Sequence, residues 1–256
     1  ELLGESIVKN FKLLSGLIKS ESAHNWQLTT HMNTIPVIAI FDVGKTNKKL
    51  FLFDEQYRIV FEKTLQFAET VDEDGDPCEN LEALTEWGTN SIKELIALGE
   101  FDIKALNFSA YGASFVHIDA KGKTITPLYN YLKPFSDDLK KKFYSDYGGE
   151  IPVSMVTASP VLGNLNSGMQ LYWLKYKQPK IFKKIKYSLH LPQYLSYLIT
   201  GQSFSDITSI GCHTNLWNFP QHNYHEWVLR EGVADKLPPV FSSADASSVA
   251  SAVSSL

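Results

Sequence analysis

The chain has 256 residues, 44% of them hydrophobic and 20% charged, a balance too apolar for a disordered polymer. Its formal net charge of -4 argues against a nucleic-acid partner, whose phosphates reward a basic surface. At about 150 residues per domain the length makes one large domain or two small ones, with a core that needs no staples.

Residues 1–33 read as an N-terminal extension. Lys9, Lys12 and Lys19 interrupt its apolar residues and spoil an export signal, and Met32 stands just before the first strong strand, where translation would naturally start. Val37 to Phe41 and Leu50 to Phe53 are continuous apolar runs and Ile59 to Phe67 alternates in places, which predicts three strands in a meander. An acidic loop with Asp72, Glu73, Asp74 and Asp76 follows. Its carboxylates lack the ordered spacing of a calcium loop, so a solvated surface is expected. Leu81, Leu84, Ile92, Leu95 and Ile96 recur at helical spacing up to Gly99.

Ile103 to Ser109 predicts a fourth strand, and Phe115 to Ile118 with Thr124 to Leu128 a hairpin through Lys121 and Gly122. The rest is more helical. Ser136 caps a helix that runs to Tyr147 and stops at Gly148 and Gly149; Asn166 to Tyr176 and Leu191 to Ile199 give two more, the last closed by Gly201. The six lysines from Lys175 to Lys186 read as a solvated face. Residues 242–256, almost all Ser, Ala, Asp and Val, read as a flexible or truncated tail. No run approaches the roughly 20 apolar residues of a membrane helix. Two distant cysteines, Cys78 and Cys212, suit a reducing cytoplasm.

The segment Asp42-Val43-Gly44-Lys45-Thr46-Asn47-Lys48 lies where the first strand ends and the second begins. A tight turn there exposes backbone amides. Gly44 lets the chain approach a phosphate, Thr46 and Asn47 offer side-chain hydrogen bonds, and Lys45 or Lys48 offers positive charge. Asp42, at the strand's carboxyl end, suits the waters of a magnesium ion. Gly44-Lys45-Thr46 is not a Walker A loop, because position 39 is Ala39 rather than glycine and a strand follows. Gly112-Ala113-Ser114 lacks the second glycine of a nucleophile elbow. His222 and His225 read as surface histidines before metal ligands, and the lone His117 and His213 are similarly weak.

This order of motifs resembles the first domain of the FGGY carbohydrate kinases, from about Ile35 to Val240. The family's opening aspartate, glycine and threonine match Asp42, Gly44 and Thr46, with Lys45 where the family usually has Thr. Phe108 to Asp119 followed by Lys121-Gly122-Lys123 is similar to the family's strand, turn and strand around a sugar-site glycine, here Gly112. Where many members carry Trp, Asp and Arg, this chain reads Tyr129-Asn130-Tyr131-Leu132-Lys133. Trp173-Leu174-Lys175, Pro179, Tyr197 to Gly201, Asp206, Ser209, Thr214, Trp227 and Leu237 to Val240 resemble the stretch leading toward the domain junction.

The resemblance implies an α/β fold of the ribonuclease-H-like, actin-like ATPase type over residues 34–241, with a mixed five-stranded sheet flanked by helices. It implies ATP-dependent phosphorylation of a sugar hydroxyl, in a ketose or deoxyketose such as rhamnulose, fuculose or xylulose, with ATP and Mg2+ as cofactors. Asp42 would hold magnesium through water. Gly44, Lys45, Thr46 and Asn47 would face the terminal phosphates, and Tyr111, Gly112, Ser114 and Phe115 would contact the sugar. The catalytic base and a C-terminal nucleotide-binding domain are expected beyond this chain, which alone should transfer phosphate negligibly. The expected partners are sugar, ATP and a second copy in a homodimer, with no nucleic acid and no membrane, in the cytoplasm. A non-catalytic sugar-binding regulator and an actin-like or chaperone-like ATPase stay open as alternatives.

Overall fold

The computed structural model of the chain describes residues 34–242. The expected extension, residues 1–33, and the expected tail, residues 242–256 apart from Ser242, lie outside the described residues. The spine of the main sheet is β1 (Ile35–Val43), whose alternate residues Val37, Ala39, Phe41 and Val43 are buried while Ile38 and Ile40 half-cover the other face. Apolar side chains on both faces suit a central strand covered from two sides. β2 (Lys48–Phe53) pairs with it antiparallel, and β3 (Ile59–Leu65) pairs with β2 in turn. This is the expected meander.

Two short strands, β4 (Thr70–Val71) and β5 (Pro77–Cys78), flank the acidic loop and lead into α1 (Leu81–Leu98). Asn80 starts this helix by accepting the Ala83 N–H on its side-chain oxygen at 3.0 Å, and Gly99 ends it in the left-handed region. Its buried face, Leu84, Trp87, Ile92 and Leu95, follows the helical period and packs on the sheet. β6 (Phe101–Ala110) then returns parallel to β1, which gives the strand order β3-β2-β1-β6.

The fold class is as expected, but among the described residues this sheet has four strands rather than five. After β6 the chain bends at Gly112, and β7 (Phe115–Ile118) pairs antiparallel with β8 (Tyr187–His190), from Phe115↔His190 to Ile118↔Tyr187. The expected hairpin turns at Lys121 and Gly122, but its second arm is short. The 124–128 segment meets β7 through the Ile118↔Thr124 bridge and an Ile125 N–H to His117 C=O bond, and Pro127 has no N–H to carry a ladder further.

The second half is helical. Ser136 caps α2 (Asp137–Asp146), which closes at Tyr147. The helix stops before Gly148 and Gly149 as expected, and a further helix, α3 (Glu150–Thr157), starts directly after Gly149, which stands at φ 103°. Pro152 is tolerated there because it lies in the first turn, where its N–H would have no helical partner. α4 (Ser167–Lys177) presses its first turn onto the 214–216 segment. A Cβ on Gly168 would meet the Thr214 carbonyl oxygen at 2.5 Å, so glycine alone permits the approach. α5 (Pro179–Lys184) precedes β8, and α6 (Leu191–Thr200) lays Leu191, Tyr194, Leu195 and Ile199 against the sheet side. Phe143, Tyr172 and Trp227 centre a separate core cluster that joins these helices.

Candidate active site

In the parallel pair Asp42 stands beside Ser109 and Val43 beside Ala110, so β1 and β6 end at the same edge of the sheet. One residue past the strand, the Tyr111 N–H still donates to the Val43 C=O at 3.2 Å. The two bends singled out in the sequence, Asp42 to Lys48 and Tyr111 to Ser114, are therefore neighbours at the carboxyl ends of adjacent strands, the edge where α/β sheets receive ligands.

Within the first bend the Gly44 N–H closes the turn onto the Asn47 C=O at 2.9 Å. A Cβ on Gly44 would lie 3.1 Å from that same oxygen, which keeps the turn tight. Asp42 and Thr46 are exposed, and neither side chain has a hydrogen-bond partner among the described residues. Lys45 points outward to Glu69 at 2.7 Å, and the Asn47 side-chain oxygen accepts from Gln66 at 2.8 Å. Lys48 differs from expectation. It is only 1% exposed and faces inward, donating to the Lys45 C=O at 3.0 Å and to Glu79 Oε2 at 2.8 Å, so it offers no charge to a ligand at the surface. Period-two alternation carried the signal, because Lys48 shares a face with buried Leu50 and Leu52.

Glu79, which sequence reading passed over, joins the bends. Its Oε2 accepts from Lys48 and also from the Tyr111 hydroxyl at 3.1 Å, while its backbone bridges to Leu128. Burial, then the Glu79 carboxylate, push the Tyr111 phenol far above its ordinary range, so it stays a hydrogen-bond donor. Tyr131 lays its ring 5.9 Å from that of Tyr111. Gly112 is exposed and a Cβ there would meet nothing within 4 Å, so the fold of this chain does not require glycine at that position.

Two expected sugar contacts are revised. The Ser114 hydroxyl is buried and donates to the Tyr129 C=O at 3.0 Å, and Phe115 is 1% exposed with its ring 4.1 Å from that of His190. Both side chains are enclosed by the chain itself and support the bend from behind. His117 and His190 are fully enclosed too, and burial pushes each down to about 3, which keeps them neutral. They share hydrogen bonds with Ser188 at 2.8 Å and Ser167 at 2.9 Å. His225 caps a short helix through the Trp227 N–H, while His213 and His222 are exposed.

The acidic loop is more organised than a solvated surface. Lys133 places its ammonium 2.6, 2.7 and 3.2 Å from Asp72, Asp74 and Asp76, so the cation these carboxylates hold is a lysine. Burial pushes Asp72 up, but the Lys133 ammonium and the Asp76 and Asp74 amides outweigh it and hold the carboxyl below the ordinary 3.8. A depressed folded-state pKa contributes stability above the unfolded value and loses it as pH falls through the folded one. Asp72→Asn should therefore lower the melting temperature at neutral pH, with the gap from the parent closing only below pH 3.8. A gap that stays constant through that acidic range in thermal melts would remove the ionic part of this account.

A profile of the FGGY family of carbohydrate kinases, N-terminal domain, matches residues 37–252. The chain belongs to this family. The FGGY domain is 25% identical to an L-fuculokinase of Salmonella typhi over 217 residues, covering 79% of this chain and 43% of that protein. It is 26% identical to a rhamnulokinase of Halalkalibacterium halodurans over 167 residues, 65% of this chain and 33% of that one. Among solved structures, a ligand-bound xylulose kinase from Lactobacillus acidophilus superposes with TM-score 0.68 at 19% identity, covering 81% of this chain and 42% of that chain. Plasmodium falciparum glycerol kinase with ADP superposes with TM-score 0.69 at 18% identity, covering 81% and 43%. These two likenesses establish the shared fold. The FGGY domain thus spans less than half the length of the relatives it matches. Among the described residues no helix is long and apolar enough to cross a membrane.

Proposed function

We propose that the protein built on this domain transfers the terminal phosphoryl group of ATP to a hydroxyl of a ketose or deoxyketose in the cytoplasm, with rhamnulose, fuculose and xylulose as the first sugars to try. The observation that carries this reading is the adjacency of the Asp42–Lys48 turn and the Tyr111 bend at one edge of the sheet. Asp42 fits a water-coordinated magnesium ion: its carboxylate is exposed, one residue before the end of β1, and without a protein partner among the described residues. When bound, the ion neutralises charge on the phosphate oxygens. Gly44, Lys45, Thr46 and Asn47 face the terminal phosphates, with the Thr46 hydroxyl ready to donate and Lys45 free to leave its exposed partner Glu69. Tyr111 and Gly112 line the sugar side, and Ser114 and Phe115 set their position from beneath. The proton-accepting base and the adenine contacts come from a second domain, in line with relatives of about twice this length, and closure of the two excludes water.

Sugar-dependent ADP release by the protein at the full length of its relatives tests the reading. Saturable turnover with one of these sugars is expected. ADP release that no sugar stimulates would overturn it in favour of an ATPase machine, and saturable sugar binding without ADP release would favour a regulator. A second expected result concerns Gly112→Val. Since a side chain there meets open space, the melting temperature should stay within about 2 °C of the parent while the sugar KM rises about tenfold or more, with the KM for ATP little changed. Equal weakening of both substrates would point to a disturbed fold instead.

A further inference from the structure

We propose that Lys48 is a positioning residue that locks the phosphate-side turn to the sugar-side bend through Glu79; the proposal rests on the kinase reading above. One carboxylate oxygen, Glu79 Oε2, receives the Lys48 ammonium at 2.8 Å and the Tyr111 hydroxyl at 3.1 Å. The same ammonium holds the Lys45 C=O at 3.0 Å, inside the turn that Gly44 and Asn47 close. Each bend is thereby tied to Glu79, and Glu79 is fixed in turn by its backbone bridge to Leu128 and by its place before Asn80, the cap of α1.

Stability alone does not explain such a pair. Lys48 and Glu79 are 1% and 4% exposed, on a face that Leu50 and Leu52 already make apolar, and well-packed apolar residues in place of a buried ion pair are often as stable or more so. An ion pair adds direction. It fixes where the turn stands relative to the bend, and phosphoryl transfer depends on the placement of donor and acceptor to within about 1 Å. The two neighbouring lysines are divided in role: Lys45 reaches outward to the surface, and Lys48 reaches inward to hold the frame.

The test compares Lys48→Met, the double variant Lys48→Met/Glu79→Leu and the parent, all at the protein's full natural length, by thermal melting, steady-state kinetics and hydrogen exchange. The single variant strands a buried carboxylate, and its melting temperature should fall by roughly 6–20 °C. The double variant should regain most of that loss. Its turnover should nevertheless stay about tenfold or more below the parent, in kcat more than in either KM, and the amides of residues 45–47 and 111–113 should exchange faster together. Parent-like kcat with unchanged exchange in the double variant would overturn the proposal, as would a loss confined to the sugar KM, which would make Glu79 a sugar contact. If the parent itself turns over no sugar, the kinase reading fails on its own. The exchange comparison still decides whether Lys48 ties the two segments.

Discussion

Asp42→Ala in the full-length protein should lower sugar-dependent phosphoryl transfer by about 10³-fold or more while leaving the fold intact. Two features separate the effects. Structurally, Asp42 is the penultimate residue of β1, with an exposed side chain that bonds to nothing among the described residues, and its backbone pairing with Lys49 and Ser109 survives truncation to alanine. Surface changes of this kind shift stability by about 0.5 kcal/mol or less, or roughly 2 °C in melting temperature. Chemically, a carboxylate that orients a magnesium ion acts on charge that develops as the phosphoryl group moves. Removing one such preorganised group costs about 10²–10³ in kcat, and a group that neutralises phosphoryl charge 10³–10⁵. Kinetics and melting on the same preparation check both halves. A rate within about tenfold of the parent would take Asp42 out of the mechanism, whereas a collapsed melting temperature would make it structural.

The central strands were legible because their signal is local. Apolar runs broken by the Gly44 turn gave β1, β2 and β3, and the helical period from Leu81 with Gly99 at its close gave α1, signals that need only near neighbours. What stayed hidden depends on partners far along the chain. β7 pairs with β8, some 70 residues on (Ile118 with Tyr187), and no turn signal announces such a ladder. Lys48 was read as an alternative to Lys45 for positive charge at the turn, although its alternation with Leu50 and Leu52 placed it inside. Its partner Glu79 lies 31 residues away and is invisible without the fold. Ser114 and Phe115 were read from their neighbourhood to Gly112. Both are buried at the start of β7, which the chain covers on both faces, so nearness in sequence did not decide which of them meets a ligand.

Trp227→Ala should be the most destabilising of the core truncations in the helical half, and its consequence should reach the sugar side of the site. The indole is fully buried, its N–H donates to the Asn215 C=O at 2.6 Å, and it stands edge-on to Phe143 at 5.3 Å and Tyr172 at 6.1 Å. Removing such a ring costs about 3–5 kcal/mol through lost burial and an unfilled cavity, which corresponds to roughly 6–20 °C in melting temperature. Trp227→Phe separates the contributions: it keeps an aromatic ring against Phe143 but gives up the hydrogen bond and part of the volume, so it should fall between parent and alanine variant. The functional link runs through α4. Tyr172 lies on that helix, and so does Gln170, whose amide donates to the Ala113 C=O at 2.6 Å, directly behind Gly112. Loosening the aromatic cluster therefore frees the Ala113–Phe115 side of the bend, which Gln170 and Phe115 tie to it, more than Tyr111 and the Asp42 turn, which pack with the other core cluster. At temperatures where the alanine variant remains folded, its sugar KM should rise more than its KM for ATP. A variant that melts like the parent, or one that loses both substrates alike, would show that the helical half does not brace the bend through Trp227.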